Sequence, residues 1–223
     1  TDLSSTGVGM TFDYIIIHES GHEWFGNSIT SKDIADMWVH EAFTMYTEAV
    51  FIECQSDKQK ASTYLNGLKL KVLNDEPIIA DFGVHQEGSS DMYFKGALML
   101  NTIRNVINDD DKWYRILYKF TENYRHKIVT GIEVVKFFNT YSNLNLTPIF
   151  DQYLKYTSIP KLEIKIAKKK LEYKWLTDVK DFKMPFEIIL DGNKIRLNGT
   201  NEVQITDFKV NKKNKLKNPN SKF

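Results

Sequence analysis

The sequence predicts an α+β chain, with a mainly helical lobe over residues 1–158 and a small antiparallel β domain over 159–223. Two patterns of apolar residues carry that expectation. From roughly Thr11 to Tyr156 the apolar residues recur with a helical period behind repeated start signals, whereas after Pro160 the period becomes two. Inside the first helical run sits a third observation, an H-E-x-x-H array at His18, Glu19 and His22.

The elements follow in order. Tyr14 to Phe25 is the first helical run, and Asp36 to Phe43 starts a second that extends to about Cys54. Ser56 is expected to cap a segment reaching about Leu73, and Ser90 precedes Met92, Tyr93, Ala97, Leu100 and Ile103. Asp109 to Asp111 open a helix whose apolar face is Trp113, Ile116, Leu117 and Phe120. Thr130 with Glu133 spells a capping box, and Thr147 before Pro148 reads as a further N-cap with proline at the first helical position. Beyond Pro160, Leu162, Ile164 and Ile166 alternate with charged residues, as do Leu171, Tyr173 and Trp175. Phe186–Leu190 and Lys194–Leu197 flank an Asp191-Gly192 turn and read as a hairpin. Val203, Ile205, Phe208 and Val210 suggest a last strand or strand pair ahead of a Lys- and Asn-rich tail.

Composition bounds the function. With 30 basic and 29 acidic residues, the chain has no global charge to attract a nucleic acid or a membrane surface. Lys168–Lys170 and Lys212–Lys217 are locally basic and read as solvated turn or tail. No apolar run reaches the roughly 20 residues of a membrane span. The single cysteine, Cys54, excludes an internal disulfide framework. Starting at Thr1 and entering a patterned helix almost at once, the chain reads as a piece of something longer.

On a helix, positions i and i+4 lie on one face, so His18 and His22 can offer two imidazoles to one ion, for which zinc is suited. Glu19, one step round, can reach a water beside the ion and act as general base. Glu41 follows after eighteen intervening residues, near the start of the second helix, and two helices packed antiparallel bring it to the open side of the histidines. Two histidines and a carboxylate make an open, catalytic zinc set, one zinc per chain; a structural site would be closed by four protein ligands, usually with cysteine, which the lone Cys54 cannot supply. Glu48, seven residues past Glu41 on the same face, is either an acceptor for a ligand imidazole N–H or a solvated carboxylate. Asn27 caps the first helix or supports the site, while His40, His85 and His126 read as ordinary histidines. Trp24, Phe25, Trp38 and Phe43 read as packing between the two helices.

His18-Glu19-x-x-His22, then Trp24-Phe25-Gly26-Asn27, then Glu41, resembles the gluzincin aminopeptidases of the aminopeptidase N and leukotriene hydrolase family. Tyr93-Phe94-Lys95-Gly96-Ala97 resembles that family's Y-x-K-G-A helix start. The resemblance implies a thermolysin-like catalytic lobe, a peptide substrate, and a role for Tyr93 as hydroxyl donor to the developing oxyanion. It also implies a G-x-M-E-N strand for the substrate's amino terminus; residues 1–17 carry only Gly7, Gly9 and Met10 as echoes, so that strand is expected in a missing N-terminal part of the same protein. Three functions stand at this point: an aminopeptidase core, an endopeptidase or epoxide hydrolase on the same scaffold, and a catalytically incompetent zinc-binding fragment. An exported or cell-envelope location suits a peptide-scavenging enzyme.

Overall fold

The computed structural model describes residues 1–167, 170–190 and 192–207. Lys168 and Lys169 of the first basic stretch, Asp191 of the hairpin turn, Phe208 and Val210 of the expected last strand, Lys212–Lys217 and the polar tail lie outside those residues. The chain is α+β and divides into two compact units, Thr1–Thr157 and Ser158–Phe223. Among the described residues no helix is long and apolar enough to cross a membrane.

The first unit is built on α2 (Trp38–Gln55), against which α1 (Tyr14–Gly21) and α3 (Lys58–Leu68) pack. Aspartate caps start the two flanking helices. Asp13 caps α1 by accepting from the Ile15 amide, and Asp57 caps α3 by accepting from Lys60. Ser56, expected to be that cap, instead ends α2: the extended backbone that an N-cap needs occurs one residue later, at Asp57. α4 (Asp91–Ile107) begins without a side-chain cap because Ser90 is itself in the helical conformation, and the first-turn Asp91 carboxylate accepts from the Leu73 and Asn74 amides at 2.9 and 2.8 Å. α5 (Asp110–Asn123) is capped by Asp109, and α6 (Gly131–Ser142) carries the expected capping box of Thr130 and Glu133. In α7 (Thr147–Lys155) Thr147 is already helical and its hydroxyl accepts from Asn139 at 2.8 Å, so Leu146 occupies the cap position.

Aromatic packing holds these helices together. Phe43, Phe120, Phe138 and Phe150 are essentially unexposed, with Phe43 and Phe120 ring centroids 5.2 Å apart and Phe138 and Phe150 6.0 Å apart. Buried charges are paired as well. Arg104 on α4 grips Glu53 of α2 through two bonds of 2.6 and 2.8 Å and Asp110 of α5 at 2.8 Å. Lys95, 1% exposed, donates to the carbonyls of Tyr156 and Thr157 at 2.8 and 3.1 Å, tying α4 to the residues that follow α7. Between α1 and α2, β1 (Ile29–Ser31) pairs in parallel with β2 (Lys127–Val129), a contact that helical periodicity does not announce.

In the second unit β3 (Lys161–Ala167), β4 (Lys170–Leu176) and β7 (Gln204–Asp207) form an antiparallel sheet with β4 central, and β5 (Lys183–Leu190) pairs with β6 (Asn193–Thr200). Leu171, Tyr173 and Trp175 of β4 point inward, as alternation predicts, and the Tyr173 and Trp175 rings meet Phe186 of β5 at 5.2 and 6.0 Å. Ile205 departs from that reading. It pairs with Glu172, on the face opposite Tyr173, and is 57% exposed.

Candidate metal centre

Helix α1 presents His18, and His22 follows in the right-handed helical conformation as the cap residue, so both imidazoles lie on one face. Gly21 lets this helix come close to α2: a Cβ there would stand 3.1 Å from Thr44 Cγ2. The approach brings Glu41, in the first turn of α2, opposite both rings. Glu41 Oε2 lies 3.4 Å from His18 Nε2 and 3.5 Å from His22 Nε2. Two ligand atoms each about 2.1 Å from a tetrahedral ion stand about 3.4 Å apart, whereas hydrogen-bonded pairs sit nearer 2.9 Å. Glu41 Oε2 is also buried with no hydrogen-bond partner. Among the described residues this is the one set of three metal-binding side chains whose ligating atoms fall within 4.8 Å of one another.

The remaining nitrogens are committed elsewhere. His22 Nδ1 lies 2.9 Å from the Phe25 carbonyl, which can only accept, so the proton sits on Nδ1 and the Nε2 lone pair faces Glu41. Thr44 Oγ1 stands 3.2 Å from the same nitrogen. His18 Nδ1 meets Glu48 Oε1 at 3.0 Å, and Glu48 is fully buried rather than solvated. Burial alone would lower the His18 pKa, but the carboxylates of Glu41 and Glu48 outweigh it and raise the ring to about 9. An orphaned carboxylate oxygen, two Nε2 atoms facing it at ligand separation and a carboxylate behind one imidazole fit a zinc ion.

Glu19 and Tyr93 line a cavity of about 510 Å³ beside His18, walled by Tyr14, Met45, Leu68 and Phe94. The Tyr93 ring is 6.0 Å from that of His18. Its position rests on Gly96, whose Cβ would stand 2.6 Å from the Cβ of Ala42, the residue after Glu41. Burial, then the negative charge of Glu41, pushes the Tyr93 hydroxyl up to about 12. Lys95 of the same segment points away, to the carbonyls after α7.

Some expected residues are elsewhere. Trp24 is 54% exposed, because α1 ends at Gly21 and the chain turns before reaching it; Phe25, Trp38 and Phe43 are buried as expected. The Asn27 side chain donates to Glu23 at 3.3 Å and its backbone N–H to the His22 carbonyl at 2.9 Å, a helix-end role. His40 accepts from the Ser31 amide at 2.8 Å, anchoring β1. Tyr64, which sequence spacing did not single out, donates to Glu48.

A family model described as the peptidase family M1 domain matches residues 2–153 of the 223. The chain belongs to this family. An M1 relative, endoplasmic reticulum aminopeptidase 1 of Mus musculus, is 26% identical over 134 residues, covering 56% of this chain and 14% of its own. An M1 zinc metallopeptidase structure from Deinococcus radiodurans superimposes with a TM-score of 0.55 at 24% identity, over 69% of this chain and 35% of that one. Legionella pneumophila aminopeptidase A gives 0.61 at 17% identity, over 87% of this chain and 23% of that one. The two structures share the fold, and the chain spans about a third or less of each of these M1 relatives.

Proposed function

We propose that this chain carries the catalytic centre of a zinc aminopeptidase, with His18, His22 and Glu41 holding the ion, Glu19 as general base and Tyr93 as oxyanion donor. The observation that carries the reading is Glu41 Oε2, buried without a hydrogen-bond partner and at ligand spacing from two imidazole nitrogens. Membership of a peptidase family and the aminopeptidases among its relatives support the reaction class. When bound, zinc supplies Lewis-acid polarisation of the scissile carbonyl and makes water acidic enough to lose a proton near neutral pH.

The chain's own groups do the rest. Glu48 and the Phe25 carbonyl orient the two imidazoles. Glu19 takes the proton of the attacking water and returns it to the leaving amine. Tyr93, protonated throughout the neutral range, donates to the carbonyl oxygen as that oxygen gains charge. The apolar cavity beside His18 takes a substrate side chain.

Zinc content tests the proposal first. Protein dialysed against metal-free buffer and reconstituted should hold about one zinc per chain, and Glu41→Ala should hold far less. Absence of zinc from the reconstituted protein overturns the metal reading. Paired peptides with free and acetylated amino termini then separate exopeptidase from endopeptidase action, since the proposal requires the free amine; cleavage of both alike assigns the endopeptidase alternative.

A further inference from the structure

Behind His18 lies a buried contact chain that reaches a third helix. Glu48 has no exposure and Tyr64, on α3, retains 1%. One Glu48 oxygen meets His18 Nδ1 at 3.0 Å, and the other accepts a hydrogen bond from the Tyr64 hydroxyl. We infer that Tyr64 is a positioning residue of the metal centre: its hydroxyl fixes the Glu48 carboxylate, which in turn fixes the His18 ring with Nε2 aimed at Glu41.

The terminal torsion of a glutamate is broad, so one contact to an imidazole leaves the carboxylate free to swing. A second bond on the opposite oxygen removes that freedom and satisfies a group whose burial would otherwise be costly. Tyrosine has only two side-chain torsions, and this one is itself held. Its ring packs edge-on against Phe12 at 5.6 Å, and its hydroxyl lies 3.4 Å from Met45 Sδ. Phenylalanine would fill the same space, so the hydroxyl alone distinguishes a positioning role from core packing. The path also joins α3 to a ligand set carried by α1 and α2.

The inference rests on the zinc reading, and a double-mutant cycle tests it separately. Zinc affinity would be measured by chelator competition for the wild type, Tyr64→Phe, Glu48→Gln and the double variant, together with thermal unfolding of the metal-free forms. Tyr64→Phe should weaken zinc about 10- to 100-fold, out of proportion to any change in unfolding midpoint, and add little in the Glu48→Gln background. Unchanged affinity, or an effect that simply multiplies with that of Glu48→Gln, overturns the inference. If Tyr64→Phe fails to fold, 3-fluorotyrosine at position 64 decides the matter: a stronger donor of nearly equal volume should tighten zinc, and unaltered affinity overturns the idea. A wild type that binds no zinc removes the metal reading itself.

Discussion

The Glu41 carboxylate spends its burial on two imidazoles that stand just beyond hydrogen-bond length. In the metal-free protein His18 titrates near 9, so at neutral pH the ring holds a proton that a metal ion must displace. Zinc affinity should therefore fall as pH drops below 9, by up to about tenfold per unit. Titrations in buffers of different ionisation heat should report about one proton released from His18 at pH 7.5. The same raised pKa gives the metal-free fold a stabilising ion pair that is fully present below 6.5 and lost as pH rises through 9. Glu19→Gln should retain about one zinc per chain while turnover falls roughly 10²- to 10⁴-fold; undiminished turnover in zinc-replete protein would remove Glu19 as base. The shared face of His18 and His22 was legible in the sequence because helical spacing brings positions i and i+4 together, whereas Glu41 lies on a second helix and its approach depends on how the two helices pack. Glu48 was half legible by the same rule. Tyr64 was not, because its contact crosses between two helices at a separation no periodicity encodes.

At the scale of elements, two glycines set the spacing of the site. Gly21 admits α1 to α2 beside Thr44, and Gly96 admits α4 to α2 beside Ala42. Gly96→Ala should cost about 1–3 kcal/mol through overpacking and displace Tyr93 from its place beside His18. Adding Ala42→Gly should recover part of the unfolding midpoint, less the roughly 1 kcal/mol that a glycine costs inside α2. If the paired change is no better than the single one, the 2.6 Å approach is not what makes Gly96 necessary. Helix existence was readable from periodicity, and the Thr130–Glu133 box from a purely local rule. Ser56 and Thr147 misled because a cap is chosen by backbone conformation, which neighbouring residues of the same chemistry cannot reveal. β1 and β2 escaped because three residues carry no period, and their pairing joins parts of the chain about a hundred positions apart.

Across the whole molecule, the change from helical to alternating pattern near Pro160 announced the α+β class, since each pattern fits only one kind of packing surface. Which face of the last strand is buried was not legible, as Ile205 shows, because register with β4 decides it. The Arg104 clamp gives the helical unit an acid limit. Its guanidinium lowers Glu53 and holds Asp110 down near 2, so the stabilisation is present above the unfolded value of about 3.9 and lost as pH falls through 2. Arg104→Met should lower stability at pH 7 by roughly 1.5–3 kcal/mol and flatten the acid limb of a urea-unfolding series, whereas a limb of unchanged slope would place the acid sensitivity elsewhere. Lys95 draws a boundary of another kind. A polypeptide ending at Lys155 would take from that ammonium both of its carbonyl acceptors. The helical unit that carries the candidate metal residues therefore draws on Tyr156 and Thr157, beyond its last helix, to satisfy a charge held within it.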